Sequence, residues 1–400
     1  MRPLKIAGVT LALIVAVVGT GIVIVASRFD APRIKAELAQ VVQKQQQRTL
    51  KIDGDLELGF WPDIGIELGK LSLSERNSAQ IFASADSARV SVALLPLLSK
   101  RIVVNSVALN GARIALIRHK DGTLNIDDLR SRDQTGSQPL QLDIAAIKIA
   151  DAQISWTDEQ SGGTTTVSGI DIATGAVSID SGTYSVAGLS LAAKGETDAA
   201  HQLDAKLELS GIEGTGRMLK VAKIVLDLDG RSGDSAFKAR LDSALAADLE
   251  GMSATLDNLS GEITLSNPKL PMKRIALPFS GRVKLDLSAR SAEGNLAARL
   301  GESKIALKFD HAKLSPPSLG FALDIDRINA DQYLPPQQAG EGKIDFSALN
   351  KLKLDGTVRI GSLQIAKTRV RKLKLRIRAV DGRRAGVSET LRTGISATRE

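Results

Sequence analysis

The sequence predicts a mainly β protein: an N-terminal transmembrane helix, then an extended, curved antiparallel sheet forming a groove, with a few short helices. Three observations carry this expectation. An uncharged run of 21 residues, Ile6 to Ala26, stands near the start of the 400-residue chain. From Thr49 onward, apolar residues recur with a period of two and rarely with the period of a helix. Hydrophobic residues make up 43% of the chain but aromatic residues only 3%. The interior is therefore built from Leu, Ile, Val and Ala, and little helix remains to cover a one-sided sheet.

Residues 6–26 read IAGVTLALIVAVVGTGIVIVA. At ~1.5 Å per residue, a helix of this length crosses a hydrocarbon core of about 30 Å. Arg2 and Lys5 precede it; Arg28 and Asp30 follow it. A secretory signal cleaved at Ala26-Ser27 is the alternative, but a signal's apolar core is about 7–15 residues and no A-x-A pattern is present. Basic residues flank both ends, so charge does not orient the span. Residues 27–48 then predict a juxtamembrane helix. Asp30 can cap it, Pro32 suits its first turn, and Ile34, Leu38, Val41 and Val42 share a helical spacing. That face packs on the sheet that follows or lies on the bilayer.

Residues 49–130 form the first β region. Leu50, Ile52, Leu56 and Leu58 alternate with charged residues, Phe60-Trp61-Pro62 interrupts, and Ile64, Ile66 and Leu68 resume. A short helical turn is expected over 94–98, around Pro96. Asp53-Gly54, Asn110-Gly111 and Asp121-Gly122 are turn signals. Residues 131–139, SRDQTGSQP, read as a loop. A middle β region at 140–336 continues the alternation, with Asp229-Gly230, Ser260-Gly261 and Ser280-Gly281 as further turn signals. A last β region occupies 343–382. The expected unit is a strand of about five to eight residues, a turn, and another strand.

A half-buried antiparallel sheet must cover its apolar face. Two facing sheets would do so as sandwiches. The other solution is one curved sheet whose concave side is continuously aliphatic and suits acyl chains. On that reading the floor is lined by Leu56, Leu58, Ile64, Ile66, Val90, Val92, Leu94, Ile102, Val104, Ile114 and Leu116 in the first region. Leu142, Ile144, Ile154, Trp156, Leu207, Leu226, Leu285, Leu307 and Leu323 follow in the second, and Ile360 and Leu375 in the third.

Residues that would carry bond-making chemistry are scarce. There is no Walker loop, no G-x-S-x-G elbow and no H-E-x-x-H. Cysteine is absent, and His119, His201 and His311 stand apart from one another in sequence. GIEGTG at 211–216 lacks the spacing of a dinucleotide loop and reads as a turn. Asp127-Asp128 falls in a turn; Asp324 and Asp326 fall on the solvated side of a strand. No catalytic residue, metal ligand or cofactor is expected. The net charge is +8. Near the end Lys372, Lys374, Arg376 and Arg378 alternate with Leu373, Leu375 and Ile377. They are solvated outer-face charges or contacts for anionic lipid headgroups. Nucleic acid is disfavoured, because no aromatic residues interleave for stacking.

Several segments together resemble the AsmA family of envelope proteins. They are TLKIDGDLELGFWPDIGIELGKLSL after the apolar run, ARVSVALLPLLSKRIVVNSVALNGARIALIRHKDGTLNIDDL, and IKIADAQISWTDEQSGG with Trp156 and Asp158. INADQYLPP, with Tyr333 to Pro336, and LDGTVRIGSLQIAKTRVRKLKLRIRAVDG continue the order. The tail 383–400, RRAGVSETLRTGISATRE, departs from the family's apolar strands and is expected to be disordered. The resemblance implies a Gram-negative inner-membrane anchor with residues 1–5 cytoplasmic and the β body in the periplasm. It implies a fold similar to chorein-type bridge-like lipid transfer proteins, and roles in outer-membrane biogenesis, lipid homeostasis and protein targeting to the membrane. The expected protein is not an enzyme. Its expected partners are phospholipids, the inner membrane and envelope proteins. The alternative is a scaffold acting on outer-membrane protein assembly.

Overall fold

A computed structural model describes residues 30–59, 64–93, 104–127, 141–180, 182–197, 200–314, 317–333, 353–365 and 368–380, with two-residue strands at 383–384 and 388–389. The apolar run 6–26, the expected turn at 94–98 and the polar stretch 131–139 lie outside these residues. Among the described residues, no helix is long and apolar enough to cross a membrane. The chain divides into two compact units, Met1–Ser178 and Ile179–Glu400.

In the first unit, helix α1 spans Ala31–Gln46. Asp30 caps it by accepting a hydrogen bond from the Arg33 amide at 3.2 Å, and Pro32 sits in its first turn. It stops at Gln47, whose φ of 57° is left-handed. Ile34 and Val42 are half-buried, whereas Leu38 and Val41 are exposed.

The strands of this unit are β1 (Leu50–Ile52), β2 (Leu56–Gly59), β3 (Ile64–Leu68), β4 (Leu71–Ser74), β5 (Ile81–Ala85), β6 (Ser87–Val92), β7 (Val104–Asn110), β8 (Arg113–Arg118), β9 (Gln141–Asp158) and β10 (Gly163–Thr174). The long strand β9 organises them. Its first half pairs in parallel with β7 and its second half in parallel with β8, while β10 runs antiparallel along its other edge. From β7 the sheet continues through β6 and β3 to β2; from β8 it continues through β5 and β4 to β1. Of the turn signals of this unit, Asp121-Gly122 forms a turn, with Gly122 at φ of 88° and its amide donating to the His119 carbonyl at 2.9 Å. Asp53-Gly54 and Asn110-Gly111 are only bends: β1 and β2 run on in one direction against β4 and β3, and β7 and β8 run on along β9. Strand β11 (Val177–Asp180) lies at the boundary between the units.

The second unit is a meander of long strands: β12 (Thr183–Thr197), β13 (Ala200–Thr215), β14 (Met218–Ser232), β15 (Ser235–Asp248), β16 (Ser253–Ser266), β17 (Arg274–Asp286), β18 (Ser291–Leu300), β19 (Ser303–Leu314) and β20 (Pro317–Asn329). Each pairs antiparallel with the next. A 3-10 turn at Ala330–Gln332 follows. Strand β21 (Lys353–Ile365) then pairs in parallel with β20, and β22 (Thr368–Val380) pairs antiparallel with β21. The short strands β23 (Arg383–Arg384) and β24 (Ser388–Glu389) pair with one end of β22.

Three expectations are corrected here. The sheets are antiparallel-rich but include the parallel pairs β7–β9, β8–β9 and β20–β21. The strands of the meander run to 10–16 residues. Third, Asp229-Gly230, Ser260-Gly261 and Ser280-Gly281 are not turns but lie inside β14, β16 and β17.

The glycines in these strands have a steric cause. Tyr184–Gly214, Phe237–Gly230, Phe279–Gly261, Phe309–Gly294 and Phe321–Gly356 are direct cross-strand pairs. In every pair the ring occupies the space a glycine Cβ would need. A bare backbone lets the ring lie flat on the neighbouring strand instead of standing on the face. At Gly356 the three nearest atoms an added Cβ would meet all belong to the Phe321 ring. Gly356→Ala should therefore cost about 1–3 kcal/mol of overpacking, and Phe321→Leu should relieve it. A double-mutant cycle on urea unfolding, followed by far-UV circular dichroism, checks this; additive effects would place the ring elsewhere.

Candidate functional site

In a sheet, directly paired residues present their side chains to the same face, so register shows which residues meet. In the second unit one row crosses eleven strands: Leu191, Leu207, Leu226, Leu241, Gly261, Phe279, Ala298, Ile305, Ile325, Ile360 and Leu373. At ~4.8 Å per strand, this row runs about 48 Å. A second row, two residues along, joins Leu259, Gly281, Leu296, Leu307, Leu323, Val358 and Leu375. Leu285 sits in a third, between Ala254 and Ala292. No side chain in these rows is polar.

The expected residues of the first unit also fall into rows. Leu58, Ile66, Val90 and Val107 are one; Ile64, Val92, Val104 and Ile144 are another. Leu56 pairs with Leu68, Ile114 with Ile154, and Leu116 with Trp156. Leu94 and Ile102 lie outside the described residues. Leu142 belongs to β9, but its side chain is not described. Register also adds residues that the alternation did not single out as lining, among them Leu241, Phe279, Ile305 and Ile325. Alternation gives a residue's side of its own strand; only pairing tells which strand is its neighbour.

The apolar face is sheltered yet uncovered. Ala297 and Ala298 are neighbours in β18 on opposite faces: Ala298 is half-buried and Ala297 exposed, as is Ala306 beside it. The face is still open, since Ile263 and Leu265 in the second unit and Ile66 and Val90 in the first are exposed. Among the described residues, large side chains fully removed from solvent are represented by Arg48 and not by a central aliphatic layer.

The opposite face is polar and crossed by ion pairs. Arg240 meets Asp227 at 3.1 Å and Asp242 at 3.4 Å, Lys238 meets Asp229 at 2.7 Å, and Lys284 meets Glu293 at 3.5 Å. Lys206 lies 2.6 Å from Glu208, and their hydrogen bond holds the carboxyl below and the ammonium above their ordinary ranges. The basic residues of β22 belong here. Arg376 and Arg378 share Asp355, at 3.4 and 3.8 Å, while Lys374 is paired in register with Arg359.

The acidic pairs have structural partners. Asp324 bonds Arg359 at 3.2 Å. Asp326 accepts from the amides of Lys304 and Arg327 at 2.7 and 2.6 Å, and the Lys304 amide foremost holds its carboxyl below the usual range. Asp127 accepts from the Leu124 amide at 2.8 Å; Asp128 lies outside the described residues. GIEGTG is not a turn: residues 211–215 belong to β13, paired with both neighbouring strands. Only Gly216 falls in the β13–β14 connection, where Thr215 Oγ1 accepts from the Met218 amide at 3.0 Å. His119 is not solitary: its Nδ1 lies 3.3 Å from Glu159. Among the described residues no group of three or more His, Cys, Asp or Glu could hold a metal ion.

A buried polar hub ties α1 to the first unit. Arg48 is fully buried. It donates to the Ser74 carbonyl at 3.1 Å, to Glu75 at 3.4 Å and to the Asn125 carbonyl at 2.6 Å, with its guanidinium 4.6 Å from the Phe82 ring centre. Asn125 donates to Glu75 at 2.6 Å and to the Ala115 carbonyl at 2.8 Å.

No solved structure matches the chain. A curated relative, Protein AsmA of Escherichia coli (strain K12), is 34% identical over 116 residues, which is 28% of this chain and 19% of that protein's length. The AsmA family profile matches residues 1–220, more than half of the sequence, and the chain belongs to the AsmA family.

Proposed function

We propose that this AsmA-family protein is held in the inner membrane by residues 6–26, with its β-rich body in the periplasm, and that its apolar face carries phospholipid acyl chains. It would thereby contribute to outer-membrane biogenesis and lipid homeostasis. The supporting observation is the eleven-strand apolar row, open and lined without a polar side chain. Moving one CH₂ from water to such a wall is favourable by about 0.8 kcal/mol, so a long chain binds without specific chemistry. The flat rings keep the floor low, and the lack of polar traps lets a chain slide. The protein acts passively on this reading, and no bond is made or broken.

Site-specific photo-crosslinking in Gram-negative cells tests it. A photoreactive amino acid at Leu226 or Ile305 should give lipid adducts, and one at Lys238 on the opposite face should give none. Protein adducts alone from Leu226 and Ile305 would overturn the lipid reading and favour the scaffold.

A further inference from the structure

The charge of this protein is concentrated in one place. Residues 351–380 contain ten basic residues and a single acid, Asp355. The surplus of the whole chain is +8, so the hairpin of β21 and β22 accounts for all of it. Elsewhere the polar face of the meander sets cations against carboxylates, as in Lys238–Asp229, Arg240–Asp227, Arg282–Asp257 and Lys284–Glu293. A face whose charges served only solubility would show the same balance in the hairpin. There one carboxylate, Asp355, stands between Arg376 and Arg378. Among the described side chains, Arg371, Lys372 and Lys374 have no carboxylate within ion-pair distance.

We propose that the β21–β22 hairpin is a docking surface for a bilayer rich in anionic phospholipid headgroups. The alternation of β22 presents Lys374, Arg376 and Arg378 together on the polar face, while Leu373, Leu375 and Ile377 keep to the apolar one. A multivalent row of exposed cations complements a surface of phosphates. Single-stranded nucleic acid would call for aromatic stacking between the cations, and the interleaved residues are aliphatic and point the other way. The inference is independent of what the apolar face carries: a membrane could be docked whether or not acyl chains are held.

The test immobilises the full chain through its N-terminus and passes vesicles over it. Vesicles of phosphatidylcholine with about 30% phosphatidylglycerol should be retained more strongly than pure phosphatidylcholine vesicles. Retention of the pure vesicles through the apolar residues 6–26 should be the same for the wild-type chain and for K372Q/K374Q/R376Q/R378Q. Raising the salt to about 0.5 M should lower the retention of the anionic vesicles to that of pure phosphatidylcholine, because the cations are exposed. Each cation at an anionic surface is worth about fivefold in affinity, so the electrostatic part of binding by K372Q/K374Q/R376Q/R378Q should be weaker by about 600-fold. The charge-preserving K372R/K374R/R376K/R378K should retain binding, which separates loss of charge from loss of fold. Equal retention of both vesicle types, undiminished binding of the anionic vesicles by the glutamine variant, or displacement by a short single-stranded DNA that binds as tightly would each overturn the proposal.

Discussion

Arg48→Met should destabilise the first unit by about 3–5 kcal/mol, the cost of removing one partner from a buried ionic cluster. The guanidinium satisfies the Ser74 and Asn125 carbonyls and neutralises Glu75 in a site closed to water. Methionine fills a similar volume over Phe82 but leaves a carboxylate and two carbonyls facing an apolar chain. Arg48→Lys keeps the charge yet loses the planar fork that reaches partners in different directions, so an intermediate loss is expected. R48M/E75Q should recover part of the stability by removing the stranded charge. Both tryptophans, Trp61 and Trp156, belong to the first unit. Urea unfolding followed by tryptophan fluorescence therefore reports on this unit alone. A loss below about 1 kcal/mol for Arg48→Met would mean that water reaches the cluster.

The cluster was only half legible in the sequence. The Asp121-Gly122 turn and Asn125 stand out as turn chemistry, and Asp121 accepts both the amide and the hydroxyl of Thr123. Arg48 looks like any basic residue between a helix and a strand. Its burial depends on contacts 26 to 77 residues away, a range at which local pattern carries no information. Helix α1 was readable because its cap and period are local.

The same division separates the two units. Gly122 follows an acid and occupies a turn, the signal its dipeptide gives, whereas Gly54 and Gly111 sit in bends between strands that run on beside the same partners. Gly230, Gly261 and Gly281 follow Asp or Ser in the same way, yet lie within strands. The first two receive rings from the next strand, and a Cβ on the third would strike Leu296 and the backbone of β18. A glycine that turns the chain and a glycine that accepts a neighbour's ring look alike until the register is known. Short apolar runs on either side of such glycines therefore read as separate strands, although they belong to one. Alternation shows the apolar side over a short stretch such as Leu354 to Ile360, because it is a local property, but not where the pattern changes side, as at Ser362 and Leu363 in the same strand.

The effect expected to be largest on function comes from a carboxylate on the apolar row. Leu226→Asp and Ile305→Asp should abolish capture of acyl chains while the sheet stays folded. Both positions are half-buried on a face that no second layer of described residues covers. A carboxylate there can reach water when the face is empty, so its cost to folding is small. When a chain lies over it, the carboxylate must be desolvated without a partner, at a cost of several kcal/mol. Val221→Asp is the contrast. Val221 is only 4% exposed, so its carboxylate is stranded whether lipid is present or not, and that variant should unfold. Photo-crosslinking from the next residue of the row, Leu241 for Leu226→Asp and Ile325 for Ile305→Asp, alongside circular dichroism of each variant, reads occupancy and fold separately. Folded Asp variants that lose lipid adducts fit an open binding face. Asp variants at Leu226 and Ile305 that unfold as Val221→Asp does would mean that another layer of protein packs on this row. Folded variants with undiminished adducts would place the lipid elsewhere.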